Sequence, residues 1–301
     1  MLKKAISILL LISTYIAAGF SQYESVSGYY EKGKVLEGLS MNSELLGYDV
    51  NYAVYLPPGY AESQRFYPVV YLLHGFTDNE TAWIQFGEVH LSADRAIADR
   101  KIPPMIIVMP DANVTWYIND YQHKNPYESM IFEEFIPYID RTYKTRPEKE
   151  FRAVAGLSMG GYGSLIWSLH HPEMFSACAA FSAGVFTDIE MKEMKEEEYD
   201  NLFHEIYGPE NMQDRLTKHW KNNSVIELMS TLKIQEIEKV RYYIDCGDDD
   251  FLFRGNSTLH ITMRERGIDH EYRIREGKHE WIYWRTYITT GLEFIGKSFQ
   301  R

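Results

Sequence analysis

Five continuous apolar runs that alternate with helix-like segments constrain the fold of this chain more than any other feature. The runs are YPVVYLLHG (67–75), PMIIVMPDA (104–112), FRAVAGLS (151–158), FSACAAFSAG (175–184) and VRYYIDCG (240–247). They do not alternate with polar residues, which is typical of strands buried on both faces of a parallel sheet. The sequence therefore predicts the α/β class, with a mostly parallel, doubly wound sheet.

The remaining segments complete the predicted organisation. Helix-like spacing falls at 89–100, 128–143, 159–170, 256–266 and 281–298, and right-handed crossovers would place helices on both faces of the sheet. The alternating stretch YDVNYAVYLPPGY predicts an antiparallel edge strand that ends at Pro57. Segment 185–236 is too long and charged for an ordinary connection. It predicts a helical insertion, either a solvated excursion or a lid over a site.

Charge and composition exclude some functions. The chain has 301 residues, 45% of them hydrophobic, and a formal net charge of −12 without a basic cluster. Binding to nucleic acid or to anionic membrane surfaces needs a positive face, so neither is expected. With no internal repeat or linker, we expect one domain over residues 23–301.

The N-terminal residues have the layout of a secretory signal peptide. Two lysines precede an apolar run that ends in small residues, and the run is short for a membrane span. We expect a signal peptide over residues 1–22, cleaved near Ser21 or Gln22. The mature protein would then be secreted or periplasmic and not inserted in a membrane.

The two cysteines, Cys178 and Cys246, both fall in predicted buried strands. Export would permit a disulfide, but the pattern favours two unpaired core thiols. No cysteine or histidine cluster has the spacing of a zinc site, so no metal is expected.

The motif GLSMG places Ser158 between a predicted buried strand and a predicted helix. This strand–turn–helix setting is typical of a nucleophile elbow, in which a sharp turn exposes a serine hydroxyl. The helix that follows begins with N–H groups that have no helical acceptor. The motif therefore predicts a serine nucleophile with a backbone N–H donor, that of Met159, beside it.

A serine nucleophile needs a base and an acid, which follow it in the chain in hydrolases of this kind. Of three later histidines, His260 falls in a helix and His270 begins a strand, whereas His279 falls in a loop before the last helix. His279 is therefore the predicted base. The acid should follow the strand VRYYID, where Asp248, Asp249 and Asp250 are alternatives that spacing does not separate. A solvated turn or a calcium loop is the other interpretation of these aspartates.

A second backbone donor is expected after an earlier strand. His74 and Gly75 follow the run YPVVYLL, so the N–H of Phe76 could face the same carbonyl oxygen as that of Met159. The histidine–glycine pair could equally be a plain turn. Removing one such donor typically costs about 100- to 1,000-fold in turnover.

The motifs VVYLLHGF, GLSMGGYGSL, IDCGDDDFLF and GKHEWIYW together resemble those of the esterase D-like family of α/β-hydrolase serine esterases, from about residue 45 onward. The resemblance implies an α/β-hydrolase fold, with Ser158 as nucleophile, His279 as base and Asp250 as acid. It also implies that Phe76 and Met159 are the oxyanion donors. NVTWYIND is similar to a family segment that lines the substrate pocket, so Trp116 and Tyr117 are predicted there, as is Trp281 beside the base.

The feruloyl and acetyl-xylan esterases are the branch of this family that the chain resembles most. The resemblance implies a secreted carboxylic-ester hydrolase that forms an acyl-enzyme without a metal or organic cofactor. Its partner would be an ester-bearing small molecule or polysaccharide such as xylan. Alternatives are a tributyrin-type or siderophore esterase, an acyltransferase, and a carbohydrate-binding protein that has lost catalysis on the same fold.

Overall fold

One eight-stranded sheet organises the structure, a computed structural model that describes residues 30–208 and 215–299. The strands are β1 (Lys34–Asn42), β2 (Asp49–Leu56), β3 (Val69–Leu73), β4 (Ile106–Pro110), β5 (Arg152–Leu157), β6 (Ala177–Phe181), β7 (Arg241–Gly247) and β8 (His270–Arg275). Their order in the sheet is β1-β2-β4-β3-β5-β6-β7-β8. The five predicted buried strands all form, and the predicted doubly wound α/β fold is confirmed.

The sheet is parallel from β4 to β8, and only β2 runs antiparallel to its neighbours, β1 and β4. Strand β4 lies on one side of β3, and β5 lies on the other. The chain therefore reverses its direction of winding between β3 and β5, and ligands bind at such switch points, outside the carboxyl ends of the strands.

The prediction that β2 is an edge strand is wrong, because β1 covers it. Strand β1 pairs with β2 along its whole length, but its register shifts between Leu36 and Leu39. Gly38 lies in this bulge with φ of +66°. The bulge interrupts the alternation of apolar residues that would otherwise have revealed the strand.

The central strands are buried on both faces, as their continuous apolar runs predict. In β3, Val69, Tyr71 and Leu73 belong to the core on one face of the sheet. Val70 and Leu72 belong to the core on the other face, and none of the five residues is exposed.

Helices cover both faces of the sheet. They are α1 (Ala82–Gln85), α2 (Val89–Ala98), α3 (Tyr127–Met130), a π-helical turn (Ile131–Phe135), α4 (Ile136–Thr142), a 3-10 turn (Lys149–Phe151), α5 (Met159–His170), α6 (Asp188–Glu193), α7 (Glu196–Tyr207), α8 (Lys218–Asn223), α9 (Val225–Thr231), α10 (Ile234–Ile237), α11 (Phe253–Glu265) and α12 (Trp281–Ser298). Each predicted helical segment contains a helix. The residues from Glu31 onward form one compact unit, whereas the predicted signal peptide and its cleavage site lie outside the described residues.

The predicted insertion between β6 and β7 is helical and packs on helix α5. It contains α6 to α10, described on both sides of residues 209–214. The hydroxyl of Tyr162, on α5, donates to the carbonyl of Asn223 at 2.8 Å and lies 3.1 Å from the hydroxyl of Tyr207. Trp220 is also buried. The described part of the insertion is therefore anchored by buried aromatic side chains.

Cys178 and Cys246 are both buried free thiols, as predicted. Burial raises the pKa of the Cys178 thiol to about 12, and it raises that of Cys246 as well. Both thiols therefore stay protonated at neutral pH, so they behave as core side chains rather than nucleophiles.

Candidate active site

The chain turns sharply at Ser158, where β5 ends and α5 begins. Ser158 adopts φ of 54° and ψ of −118°. A Cβ at Gly156 would lie 2.4 Å from the carbonyl oxygen of Gly160, and one at Gly160 would lie 2.4 Å from that of Leu73, so larger residues would collide with backbone. A backbone conformation of this kind costs about 1–3 kcal/mol. The packed strand and helix hold it, and the hydroxyl is thereby presented at the carboxyl edge of the sheet.

His279 joins Ser158 and Asp250 in one hydrogen-bonded chain. Its Nε2 lies 2.9 Å from the Oγ of Ser158, and its Nδ1 lies 2.9 Å from one carboxylate oxygen of Asp250 and 3.1 Å from the other. An ionised carboxylate only accepts hydrogen bonds, so Nδ1 carries the proton of the neutral ring. Nε2 is then the acceptor for the hydroxyl proton of Ser158, which is the arrangement of a general base.

The structure separates the three candidate acids by burial. Asp250 is 1% exposed and contacts His279, whereas Asp248 and Asp249 are exposed. A carboxylate oxygen of Asp248 accepts a hydrogen bond from the N–H of Gly277 at 3.0 Å. This bond connects the turn that follows β7 to the loop that carries His279. Asp248 therefore shapes the loop, and only Asp250 reaches the imidazole.

The other two histidines considered from the sequence contact each other. Nδ1 of His260, on α11, lies 2.8 Å from Nε2 of His270. His270 is the first residue of β8, so it stands at the amino end of the sheet, whereas His279 follows the carboxyl end of the same strand. Neither His260 nor His270 takes part in the hydrogen bonds that join Ser158, His279 and Asp250.

Opposing effects set the ionisation of Asp250. Burial alone would raise its pKa, but hydrogen bonds from His279, Ser182 and the N–H of Leu252 lower it below the ordinary value for aspartate. A carboxyl group with this set of donors stays ionised at neutral pH. It can therefore orient His279 and stabilise the imidazolium that forms when the ring takes a proton.

Ser182 and Trp284 lie next to Asp250 and His279, and neither residue was predicted from the sequence. The indole N–H of Trp284 donates to the Oγ of Ser182 at 3.0 Å, and the Ser182 side chain is one of the groups that lower the pKa of Asp250. The Trp284 ring also lies 4.9 Å from the ring of His279. Ser182 is fully buried with φ of 44°. Its position inside the apolar run 175–184, directly after Phe181, was the available signal.

We expect Ser182→Ala to destabilise the protein at neutral pH and less so in acid. The donor to Asp250 is worth about 1.5–3 kcal/mol while the carboxylate is charged. A lowered folded-state pKa gives stability that is present above the unfolded pKa and lost as pH falls through the folded pKa. The difference in the free energy of unfolding from the wild type should therefore narrow as Asp250 protonates. Urea titrations from pH 7 down to pH values below the lowered pKa of Asp250 measure it.

Ser168→Ala is the matched control for this experiment. Ser168 is also fully buried, but its hydroxyl donates to the backbone carbonyl of Ser164 at 2.7 Å. Its loss should cost the same free energy at every pH in that range. A Ser182→Ala difference that is equally independent of pH would contradict the assigned hydrogen bond to Asp250.

His74 orients the peptide that carries the predicted oxyanion donor of Phe76. Its Nδ1 donates to the carbonyl of Gly75 at 2.8 Å, and its Nε2 accepts the N–H of Ala112 at 2.9 Å. The Gly75 carbonyl and the Phe76 N–H belong to one planar peptide, so fixing the first fixes the direction of the second. Met159, the first residue of α5, has an N–H without a helical acceptor. Phe76 and Ser158 line the same cavity.

The cavity above Ser158 has a volume of about 610 Å³, and six phenylalanine and tryptophan residues form part of its walls. Trp116 and Trp281 both line it, and the indole N–H of Trp116 donates to the carbonyl of Leu202 on the insertion at 2.9 Å. The prediction that Tyr117 lines the pocket is corrected. Tyr117 is fully buried, and its hydroxyl donates to the carbonyl of His74 at 3.0 Å.

Over residues 30–208 and 215–299, no cluster of three or more histidine, cysteine, aspartate or glutamate side chains could hold a metal ion. In the same part of the chain, no helix combines the length and the apolar character that crossing a membrane requires.

The sheet is mostly parallel, and Ser158 lies at a strained turn between a strand and a helix. Asp250 and then His279 follow it in the chain, and His279 contacts both of the others. This combination defines an α/β hydrolase. The comparisons agree. The model of the family named Esterase matches residues 43–295. The chain therefore belongs to the Esterase family, whose members are carboxylic-ester hydrolases, and the family predicted from the four motifs is confirmed.

Individual esterases are similar to this chain in sequence or in structure. The chain is 38% identical over 157 residues to an endo-1,4-beta-xylanase/feruloyl esterase of Xylanibacter ruminicola, covering 48% of this chain but only 21% of that protein. It is 25% identical over 233 residues to an acetyl esterase of Caldicellulosiruptor saccharolyticus, covering 76% of this chain and 83% of that protein. A solved structure of a ferulic acid esterase superposes with a TM-score of 0.76 at 29% identity, covering 90% of this chain and all of that one.

Proposed function

We propose that this protein is a serine esterase in which Ser158 is the nucleophile, His279 the base and Asp250 the acid. The observation that carries the proposal is the 2.9 Å separation of Ser158 Oγ and His279 Nε2, with the other ring nitrogen on the buried carboxylate of Asp250. An unassisted serine hydroxyl is a weak nucleophile at neutral pH, and a base within hydrogen-bonding distance removes that limit.

The reaction proceeds through an acyl-enzyme. Ser158 attacks the ester carbonyl as its proton passes to His279, and the N–H groups of Phe76 and Met159 stabilise the oxyanion. His279 then gives its proton to the alcohol oxygen, and the alcohol leaves. Water enters, gives a proton to His279 and attacks the acyl carbon. The acid is released as the proton returns to Ser158.

The proposed substrate is a feruloyl or acetyl group on a polysaccharide of the xylan type. Support comes from the names of the relatives, which include a feruloyl esterase, an acetyl esterase and a ferulic acid esterase. The cavity is also large enough for a phenolic acyl group, since sites for small molecules usually measure about 300–1,000 Å³. Its aromatic walls, which include Trp116 and Trp281, suit a flat ring.

Export and domain organisation are parts of the same proposal. The lysine-preceded apolar run within residues 1–22 supports a signal peptide, and residues 23–301 would form one esterase domain with the helical insertion near 185–236. An exported enzyme would meet polysaccharide outside the cytoplasm.

Acid release from four esters tests the proposed substrate. We expect ferulate from methyl ferulate, acetate from acetylated xylan or both, with slower hydrolysis of tributyrin; p-nitrophenyl acetate reports general esterase activity. The measured quantity is kcat/KM by titration of released acid or by absorbance. Hydrolysis of tributyrin in preference to both plant-type esters would contradict the polysaccharide assignment while leaving the esterase mechanism intact.

A further inference from the structure

A second cleft opens beside the cavity that contains Ser158. It has a volume of about 350 Å³ and shares part of its wall with the first cavity. The shared residues are Phe186, Glu198, Leu202, Phe251 and Leu252. Because the two spaces have common walls, one extended ligand could occupy both at once.

The chemistry of the proposed reaction decides which half of an ester would enter this cleft. His279 must give a proton to the alcohol oxygen, so the alcohol half lies on the His279 side of the scissile bond. The ring of Phe251 packs 4.5 Å from the ring of His279, yet 69% of Phe251 is exposed. Phe251 therefore forms the border that an alcohol group crosses on its way out of the first cavity.

Beyond this border the cleft combines aromatic and charged side chains. Phe253 is 52% exposed, although it begins helix α11 directly after the buried Leu252. Arg254 lies 3.8 Å from the carboxylate of Glu190, and the exposed carboxylate of Glu193 lines the same space. Exposed aromatic faces pack on the apolar faces of sugar rings, and carboxylate and guanidinium groups bind hydroxyls.

We propose that this second cleft binds neutral sugar units of the alcohol half of the substrate, through Phe251 and Phe253 as aromatic platforms. The inference rests on the proposed function, because it assumes that an ester is cleaved beside His279. Three glutamates against one arginine make the cleft negative, so it selects neutral saccharides over those that carry uronate groups. The helical insertion and the loop after Asp250 together form this cleft.

Calorimetric titration of the protein with unesterified xylotriose tests the cleft without any catalysis. We expect saturable binding to the wild type and a three- to tenfold weaker Kd for Phe253→Ala, about the loss expected for one aromatic contact. A xylo-oligosaccharide with a glucuronate branch should bind more weakly than xylotriose, and Glu193→Gln should narrow that difference.

Phe66→Ala is the matched control. Phe66 is also a highly exposed phenylalanine, at 64%, but it precedes β3 and so lies at the amino end of the sheet. Its replacement should leave the xylotriose Kd unchanged. Absence of binding to the wild type, or equal affinities of wild type and Phe253→Ala, would overturn the inference.

A second measurement distinguishes failure of the cleft from failure of the proposed function. The two substrates are the methyl ester and the xylo-oligosaccharide ester of the same acid. We expect Phe253→Ala to raise KM more for the oligosaccharide ester than for the methyl ester. Equal rises for both esters would overturn the cleft while leaving esterase activity in place. Hydrolysis of neither ester would overturn the proposed substrate, and the xylotriose titration would still decide the cleft.

Discussion

Replacement of Ser158 by alanine is expected to lower kcat by at least about 10⁴-fold. Alanine keeps the backbone and the Cβ but removes the oxygen that would attack the ester, and no acyl-enzyme can form. The proposed oxyanion donors and the cavity remain, so KM should change little. Initial rates with p-nitrophenyl acetate, corrected for spontaneous hydrolysis, measure the loss.

Ser158→Gly serves as a second variant that separates chemistry from folding. Because Ser158 holds φ of 54°, glycine should relieve strain and raise the free energy of unfolding by about 1 kcal/mol. Both variants should be equally inactive although one is more stable. Activity above a per cent of the wild-type value in either would show that another group attacks the ester.

Replacement of Asp250 by asparagine is expected to lower kcat by about 10⁴-fold. The amide is nearly the same size but carries no charge, so it cannot stabilise an imidazolium at His279. Its NH₂ group can also donate to Nδ1, which favours the tautomer with the proton on Nε2, where it cannot accept from Ser158. Steady-state kinetics with the preferred ester of the panel give kcat and KM separately.

The neighbouring Asp249 provides a matched control. It lies in the same turn and is exposed, so Asp249→Asn removes the same charge at nearly the same place. We expect its kcat to stay within about twofold of the wild type, since exposed charges are largely screened by solvent. Equal losses in Asp249→Asn and Asp250→Asn would mean that the charge of the turn matters, rather than the contact with His279.

The central sheet was predictable because burial leaves a direct trace in sequence. Strands such as β3 have no exposed side chain on either face. They therefore appear in the sequence as unbroken apolar runs that end at turn-forming residues such as proline or glycine. Strand β1 lies at the edge of the sheet and carries exposed residues and a bulge. Its pattern resembles a loop, and only pairing with β2 defines it.

Ser158 and His279 were predictable for a different reason, which is the order of elements along the chain. A serine between a strand and a helix, and a histidine in the last loop, have few alternative roles in this fold. Asp250 could not be chosen by spacing, since three consecutive aspartates occupy one turn. Asp250 was selected by the resemblance to the family, and its burial distinguishes it physically from Asp248 and Asp249.

Side-chain direction is what the sequence leaves open. Trp116 and Tyr117 are adjacent and both have positive φ, yet the first lines the cavity and the second is buried against His74. Ser182 and Trp284 are distant in the chain and meet only because β6 and α12 pack together. Such contacts depend on the tertiary arrangement, and no local pattern reports them.

The helical insertion separates what this scaffold keeps from what it can vary. The side chains proposed for catalysis follow β5, β7 and β8, whereas the insertion joins β6 to β7 and contributes walls to both binding spaces. Substitutions in this segment would therefore reshape the walls of both spaces and leave the contacts among Ser158, His279 and Asp250 in place.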